Sequence, residues 1–119
     1  EHAVFIGGKS MGGRMATHLA DERHPDVRGV VAVGYPLHPP GKAEQLRVAH
    51  LPSIAVPVLI VQGERDAFGT PEELRPVLAT LPAKVTLHVI AGGDHSLAVQ
   101  RRTDYPSLAA TIAAWVQDV

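Results

Sequence analysis

The stretch Ala3-Val4-Phe5-Ile6-Gly7-Gly8-Lys9-Ser10-Met11-Gly12 decides the fold of this 119-residue sequence. Its apolar run at residues 3–6 predicts a short buried strand, and residues 11–22 have the apolar spacing of a helix, with Met11, Met15 and Leu19 on one face. Between them lies a G-x-S-x-G motif centred on Ser10. A strand, a tight turn and a helix with serine at the turn are the setting in which this motif predicts a nucleophile.

Beyond this motif, apolar runs alternate with helix-like stretches. Strands are predicted at Val27–Val33, 58–62 and Val85–Ile90, and helices at 43–50, 71–81 and 106–116. Thr70 is the expected cap of the 71–81 helix, which Pro76 should kink or shorten, and Trp115 is expected in the core. This alternation predicts a parallel sheet flanked by helices, an α/β fold with residues 1–119 as one domain. The carboxyl ends of its strands then share one edge, where open α/β sheets hold their chemistry.

Composition argues against several kinds of partner and site: nucleic acid, membrane surfaces, disulfides and metals. The formal net charge is −1, so electrostatics give no reason to expect nucleic acid or a membrane surface as a partner. The sequence has no cysteine, which excludes disulfides and thiolate chemistry. Its histidines lack the H-x-x-x-H spacing of a helical metal site, so no metal is expected. No signal peptide or membrane-length apolar run is visible, and a cytoplasmic location is the expectation.

Three residues fall in loops that follow predicted strands: Ser10, Asp66 and His95. A serine hydroxyl is a poor nucleophile at neutral pH, so it needs a base to remove its proton. His95 would take that proton and later give it to the leaving group, while Asp66 would orient the imidazole and stabilise its cation. The chain order Ser, Asp, His is that of one hydrolase fold and differs from those of chymotrypsin and subtilisin. This chemistry requires no cofactor.

The residues around the motif have expected roles of their own. Glycines at Gly8 and Gly12 should avoid Cβ clashes in a strained turn, and the backbone N–H of Met11 would donate to an oxyanion at the start of its helix. Lys9 borders the site and is either solvated, paired with an acid, or in contact with substrate. Farther along, Tyr35 and Leu37 either line an acyl pocket or anchor their loop.

Each candidate has a competing interpretation. Ser10 could be a helix N-cap, and Asp66 could shape a turn rather than act as the acid. The rival acids are Glu64 and Asp94, although Asp94 adjoins His95 and adjacent side chains point apart. His95 could be a solvated loop histidine. A phosphate-binding loop is a poor match to Gly8-Lys9-Ser10, because that motif needs glycine at position 3, which is alanine.

Three segments together resemble the carboxyl-terminal half of an α/β-hydrolase: GGKSMGGRMA at 7–16, PVLIVQGERDAFGTPEEL at 57–74 and AGGDHSL at 91–97. The loop GYPLHPPGK at 34–42 is similar to one in a dienelactone-hydrolase-like subfamily. The resemblance implies a nucleophile elbow, an acid loop and a histidine loop. Dienelactone hydrolases carry a cysteine nucleophile where this sequence has Ser10, so the resemblance does not extend to lactone specificity.

The resemblance also implies that the chain holds strands five to eight of the usual eight. The second oxyanion donor of the family comes from the loop after the third strand, outside this sequence, and loss of one such donor typically lowers the rate 10²–10³-fold. The strand at 3–6 would form an exposed apolar edge, so we expect self-association or pairing with a preceding segment.

Two functions follow from these expectations. The first is a serine esterase that cleaves small carboxylic esters through an acyl-enzyme, with thioester, amide and acyl-transfer chemistry still open. The second is a non-catalytic scaffold or interaction domain, because the same fold can serve either purpose.

Overall fold

A four-stranded parallel sheet forms the centre of the computed structural model, which describes residues 4–21 and 25–119. The strands run in spatial order β1 (Val4–Lys9), β2 (Val27–Val33), β3 (Val58–Gly63) and β4 (Val85–Ile90). All three neighbouring pairs are parallel. The predicted parallel sheet is therefore confirmed, and β1 and β4 are its outer strands.

The two central strands are buried on both faces, which explains their β-branched, nearly continuous apolar sequences. Side chains alternate between two cores along each strand. Val30 and Ile60 point into one core and Val31 and Leu59 into the other. The sheet is thus the middle layer of a three-layer fold.

Three helices cover the two faces: α1 (Met11–Asp21), α2 (Pro71–Leu78) and α3 (Tyr105–Asp118). Leu74 of α2 packs in the first core with Ala16 of α1, whereas Trp115 of α3 packs in the second, as expected for a core residue. Thr70 caps α2 and forms a reciprocal capping box with Glu73. Each connection between the strands carries the chain back across the sheet, so all four strands end at the same edge, the carboxyl edge.

Several predicted bounds need correction. The strand predicted at 3–6 extends to Lys9 and so includes Gly8, the first glycine of the motif; residue 3 and the predicted helix end at residue 22 lie outside the described residues. The helix containing Pro76 ends at Leu78, and α3 is longer than predicted. A two-stranded hairpin, β5 (Ala98–Val99) with β6 (Arg102–Thr103), was not predicted.

The helix predicted at 43–50 is wrong. This segment makes isolated turns, followed by a 3₁₀ helix at Leu51–Ser53. The N–H of Arg47 donates to the carbonyl of Leu37, and the carbonyl of Arg47 accepts from the hydroxyl of Tyr35 at 2.6 Å. These tertiary contacts occupy backbone groups that a helix would have used, so they override the weak local propensity.

The apolar face of α1 is also placed differently from an amphipathic core helix. Met11, Met15 and Leu19 are 48%, 52% and 52% exposed. The residues that face the sheet are small and buried: Gly13, Ala16, Thr17 and Ala20. The helix therefore lies close to the sheet through small side chains and presents its large apolar ones outward.

Among the described residues, no helix is long and apolar enough to cross a membrane, and the cytoplasmic location stays a prediction.

Candidate active site

Ser10 occupies the turn between β1 and α1 in a conformation that is rare for a side-chain-bearing residue. Its φ of 53° lies in the left-handed region. The turn is held by the N–H of Ser10, which donates to the carbonyl of Val33 at 2.7 Å, and by the carbonyl of Ser10, which accepts from Arg14 at 3.1 Å. Strain of this kind persists only where the surroundings enforce it, and it is typical of functional turns. It matches the strained turn expected from the motif.

Two glycines make this turn possible, and only one of them was predicted. A Cβ on Gly8 would lie 2.5 Å from the carbonyl carbon of Gly12, and one on Gly13 would lie 2.7 Å from the carbonyl oxygen of Gly8. A Cβ on Gly12 would meet nothing within 4 Å. The expectation that Gly12 avoids a clash is therefore wrong, because the close approach of α1 to β1 falls at Gly8 and Gly13.

His95 meets Ser10 across the carboxyl edge of the sheet. Its Nε2 lies 2.7 Å from the Ser10 hydroxyl oxygen. The loop that carries it is fixed by Asp94, whose carboxylate accepts from the N–H groups of Ser96 at 2.8 Å and Ala98 at 2.9 Å. Asp94 thus shapes the loop that presents the imidazole, and its carboxylate is committed to that loop.

Asp66 lies on the far side of the imidazole, in the turn after β3. Its carboxylate oxygens are 2.9 and 2.8 Å from His95 Nδ1, and one of them also accepts from the N–H of Phe68 at 2.7 Å. The residue is 1% exposed. Glu64, the other rival acid, accepts instead from the N–H of Gly92 at 2.7 Å. Of the three acids considered from the sequence, Asp66 is the one in hydrogen-bond contact with the ring.

The hydrogen bonds define the tautomer of His95. An ionised carboxylate can only accept, so the Asp66 contact requires the proton on Nδ1. Nε2 is then an acceptor for the Ser10 hydroxyl. A serine whose proton faces a neutral imidazole nitrogen, which is backed by a buried carboxylate, has the arrangement needed for proton abstraction.

The hydrogen bonds join Ser10, His95 and Asp66 in a row, and the structure also describes the remaining predicted site residues. Met11 is the first residue of α1, where backbone N–H groups lack intrahelical acceptors. Lys9 is exposed. Tyr35 and Leu37 are 0% exposed and belong to the first core, which favours the loop-anchor alternative over an acyl pocket. In the described part of the chain, no group of three or more potential ligands could hold a metal ion.

Two side chains near the row were missed from the sequence. The ring of Phe68 packs on the His95 imidazole, with centroids 4.2 Å apart. Gln62, near the end of β3, is 0% exposed and contacts the Asp66 carboxylate. A glutamine ending an otherwise apolar strand was the available signal for Gln62; Phe68 gave none, because its contact exists only in the folded chain.

A buried histidine, His38, pairs with the partly exposed Glu73 next to the acid turn. His38 Nε2 lies 2.8 Å from a carboxylate oxygen of Glu73 and its Nδ1 lies 2.7 Å from the carbonyl of Pro39. Both ring nitrogens face acceptors, which suits the imidazolium. The carbonyl of Pro39, followed by Glu73, raises the pKa of His38 despite burial, and the N–H of Thr70, followed by His38, lowers the pKa of Glu73. The His38 N–H donates to the carbonyl of Phe68 at 2.9 Å, which connects this pair to the acid turn.

Solved structures with the same fold are considerably longer than this chain. An α/β serine hydrolase homologue from Coxiella burnetii is 24% identical with a TM-score of 0.61, over 78% of this chain and 41% of that one. A monoacylglycerol lipase from Paleococcus ferrophilus is 17% identical with a TM-score of 0.75, over 96% and 68%. Dienelactone hydrolase from Anabaena variabilis is 23% identical with a TM-score of 0.70, over 97% and 49%. The chain thus spans about two-fifths to two-thirds of these proteins.

A family model described as an alpha/beta hydrolase domain matches residues 1–118, nearly the whole sequence. This match agrees with the parallel sheet, with the strained serine turn and with the order of the three loops at its edge. The chain belongs to the α/β-hydrolase superfamily.

Proposed function

We propose that this protein is a serine hydrolase that cleaves small carboxylic esters through an acyl-enzyme. One observation carries the proposal: Ser10, His95 and Asp66 form a continuous hydrogen-bonded row at the carboxyl edge of the sheet, with contacts of 2.7 Å and 2.8 Å. The strained backbone of Ser10 and the ring nitrogen that faces its hydroxyl also support this role. The relatives named above, among them a monoacylglycerol lipase, support the same reaction type.

The proposed reaction has two halves. In the first, the Ser10 oxygen attacks the acyl carbon while its proton moves to His95 Nε2, and the tetrahedral intermediate expels the alcohol, which takes that proton. In the second, His95 removes a proton from water, the resulting hydroxide attacks the acyl-enzyme, and Ser10 leaves with the proton restored. Asp66 stabilises the imidazolium in both halves without becoming protonated.

The negative oxygen of each tetrahedral intermediate needs hydrogen-bond donors. We assign one to the N–H of Met11, because it lies in the first turn of α1, where the helix dipole favours negative charge. A site with one such donor is typically about 10²–10³-fold slower than a site with two. Thioesters and activated esters, whose acyl carbons react more readily, should therefore be better substrates than amides.

A fluorophosphonate probe tests the nucleophile directly, because it reacts with activated serines. We expect the purified protein to be labelled at Ser10, and hydrolysis of p-nitrophenyl acetate to fall at least about 10³-fold in Ser10→Ala. Ser53→Ala, a matched substitution at an exposed serine remote from the row, should leave both unchanged. Absence of labelling in the folded protein, or equal labelling of Ser10→Ala, would contradict the proposal.

A second candidate function, binding without turnover, is favoured by the exposed apolar surface next to the nucleophile. β1 is an outer strand, Val4 is 40% exposed, and the large side chains of α1 face outward. Beside β1 lies an apolar groove of about 370 Å³ between the sheet and α3, lined by Phe5, Ile6, Gly7, Gly8, Val31, Val33, Ile112 and Val116. Edges of this kind pair readily with another strand.

We propose that this edge mediates self-association or pairing with a further segment of the fold. Light scattering across a concentration series measures the first. Val4→Lys and Met15→Lys should lower the associated fraction, whereas Leu46→Lys, at a 49%-exposed leucine away from β1 and α1, should not. A monodisperse mass of 12.6 kDa at all concentrations would argue against self-association.

A further inference from the structure

We propose that Gln62 is the positioning residue for the acid of the site: its side-chain amide fixes the Asp66 carboxylate against His95. The inference rests on the proposed function for its effect on rate. It also has a consequence that is independent of turnover, because the hydrogen bond between Asp66 and His95 can be observed directly.

The contacts of Gln62 leave no freedom in its amide. Its Oε1 accepts from the N–H of Tyr35 at 2.8 Å. The two protons on its Nε2 are shared among three acceptors: the carbonyls of Gly69 at 2.7 Å and Tyr35 at 3.0 Å, and Oδ2 of Asp66 at 3.2 Å. The donor on one side and three acceptors on the other determine which end is oxygen and which is nitrogen. Glutamine is thus required here for both of its ends.

These contacts tie together three parts of the site. Tyr35 lies in the loop after β2, and Gly69 closes the turn that contains Asp66. Oδ2, the oxygen that Gln62 contacts, is also the oxygen 2.8 Å from His95 Nδ1, while Oδ1 is held by the Phe68 N–H. The carboxylate is therefore held on both oxygens by groups other than the imidazole, and it cannot rotate without breaking one of these bonds.

Burial makes the amide effective. Gln62 is 0% exposed and Asp66 is 1% exposed. If either side chain lost its hydrogen-bond partner, water could not easily take that partner's place, and the loss would cost free energy. Hydrogen bonds from surrounding residues can hold the Asp66 carboxylate in position before the imidazole becomes charged. We infer that Gln62 raises kcat through Asp66 and has little effect on substrate binding.

Two substitutions separate this role from packing. Gln62→Met removes the hydrogen bonds with little change in shape, and Gln62→Glu replaces the donor by an acceptor that faces the Asp66 carboxylate. We expect kcat on p-nitrophenyl acetate to fall roughly 10–100-fold in Gln62→Met and further in Gln62→Glu, with KM changed less than about threefold. Leu59→Ala, a destabilising change on the same strand in the other core, should leave kcat of the folded protein unchanged.

Proton NMR provides the readout that does not depend on turnover. The proton on His95 Nδ1 should give a downfield signal in the wild type, absent in Asp66→Ala and shifted or lost in Gln62→Met. If the Gln62 variants do not fold, the wild-type side-chain amide of Gln62 is measured instead. Its protons should exchange slowly, and their shifts should change in Asp66→Ala but not in Ser10→Ala.

The two proposals fail in different ways. A wild type that is not labelled by the fluorophosphonate, but whose downfield signal depends on Gln62, contradicts the hydrolase and supports the positioning role. An active wild type whose folded Gln62→Met variant retains both kcat and the downfield signal overturns the positioning role. Unchanged Gln62 amide shifts in Asp66→Ala also overturn it.

Discussion

Asp66 contacts His95 from inside the protein: the side chain of Asp66 is fully buried, while that of His95 is 22% exposed. The imidazole thus stands between a carboxylate that solvent cannot reach and a hydroxyl at the surface of the site. Asp66→Asn should retain this geometry but place an amide where the carboxylate accepts the Nδ1 proton. Because the wrong tautomer of His95 is then favoured, we expect kcat to fall about 10⁴-fold. Steady-state hydrolysis of p-nitrophenyl acetate measures the change.

The control for that variant is Asp94→Asn. Its side-chain oxygen can still accept from the N–H groups of Ser96 and Ala98, so the histidine loop should keep its shape. We expect the rate to stay within about twofold of wild type. A larger loss in Asp94→Asn than in Asp66→Asn would reverse the assignment of the acid.

The ring of Phe68 should restrict the imidazole that it covers. The two ring planes are tilted by 32°, with centroids 4.2 Å apart. Phe68→Ala removes that support but keeps the backbone N–H that donates to Asp66, so the acid remains held. We expect roughly a 10-fold loss of kcat with the row otherwise intact, and partial recovery in Phe68→Leu. Equal rates for wild type and Phe68→Ala would show that the ring has no positioning effect.

Alanine substitutions at the two glycines of the motif, Gly8 and Gly12, should have opposite effects on the free energy of unfolding. Gly8→Ala forces a Cβ into the backbone of α1 and should destabilise the fold by about 1–3 kcal/mol or more. Gly12→Ala, in open space in the first turn of α1, should be neutral or stabilise by up to about 1 kcal/mol. Urea denaturation of both variants is the measurement, and each serves as the control for the other. Similar destabilisation by the two would contradict the observed close approach.

The His38–Glu73 pair predicts a pH dependence of stability. The pKa of His38 is raised above 6.5, so its contribution is complete below that pH and is lost as pH rises through the folded value. The pKa of Glu73 is lowered below 4.5, so its contribution is complete above that pH and is lost on acidification. The pair should therefore stabilise most between about pH 4.5 and 6.5.

Glu73→Gln isolates this effect, because glutamine preserves the capping box of α2 while removing the charge. We expect the difference in unfolding free energy between wild type and Glu73→Gln to be largest near pH 5.5 and to shrink by pH 9. Glu72→Gln, on the same turn but exposed, should show no such trend. A difference that is constant from pH 5.5 to 9 would contradict the pairing.

Much of this structure could be predicted from the sequence, because its strands are long runs of β-branched residues bounded by loops. Val27–Val33 and Val85–Ile90 were predicted to the residue. The convergence of Ser10, Asp66 and His95 could be expected because parallel strands deliver their following loops to one edge. The segment 43–50 failed for the opposite reason: its conformation is set by contacts of Arg47 with Leu37 and Tyr35, which no local pattern encodes. The contact of Phe68 with His95 could not be predicted because it exists only in the folded chain, whereas Gln62 gave one signal, a polar residue at the end of an apolar strand, that was not used.

The position of β1 in the sheet has a consequence for the reactive serine. β1 delivers Ser10, and in the described part of the chain it is paired with a single strand, β2; the turn after it is held by the bonds from the Ser10 N–H to Val33 and from the Arg14 N–H to the Ser10 carbonyl. His95 follows β4, which is also an outer strand, whereas Asp66 follows β3 in the interior of the sheet. The alignment of the hydroxyl with the imidazole therefore depends on two loops that each follow an outer strand of the sheet. We therefore expect that a strand pairing with the outer edge of β1 would change the alignment of Ser10 with His95.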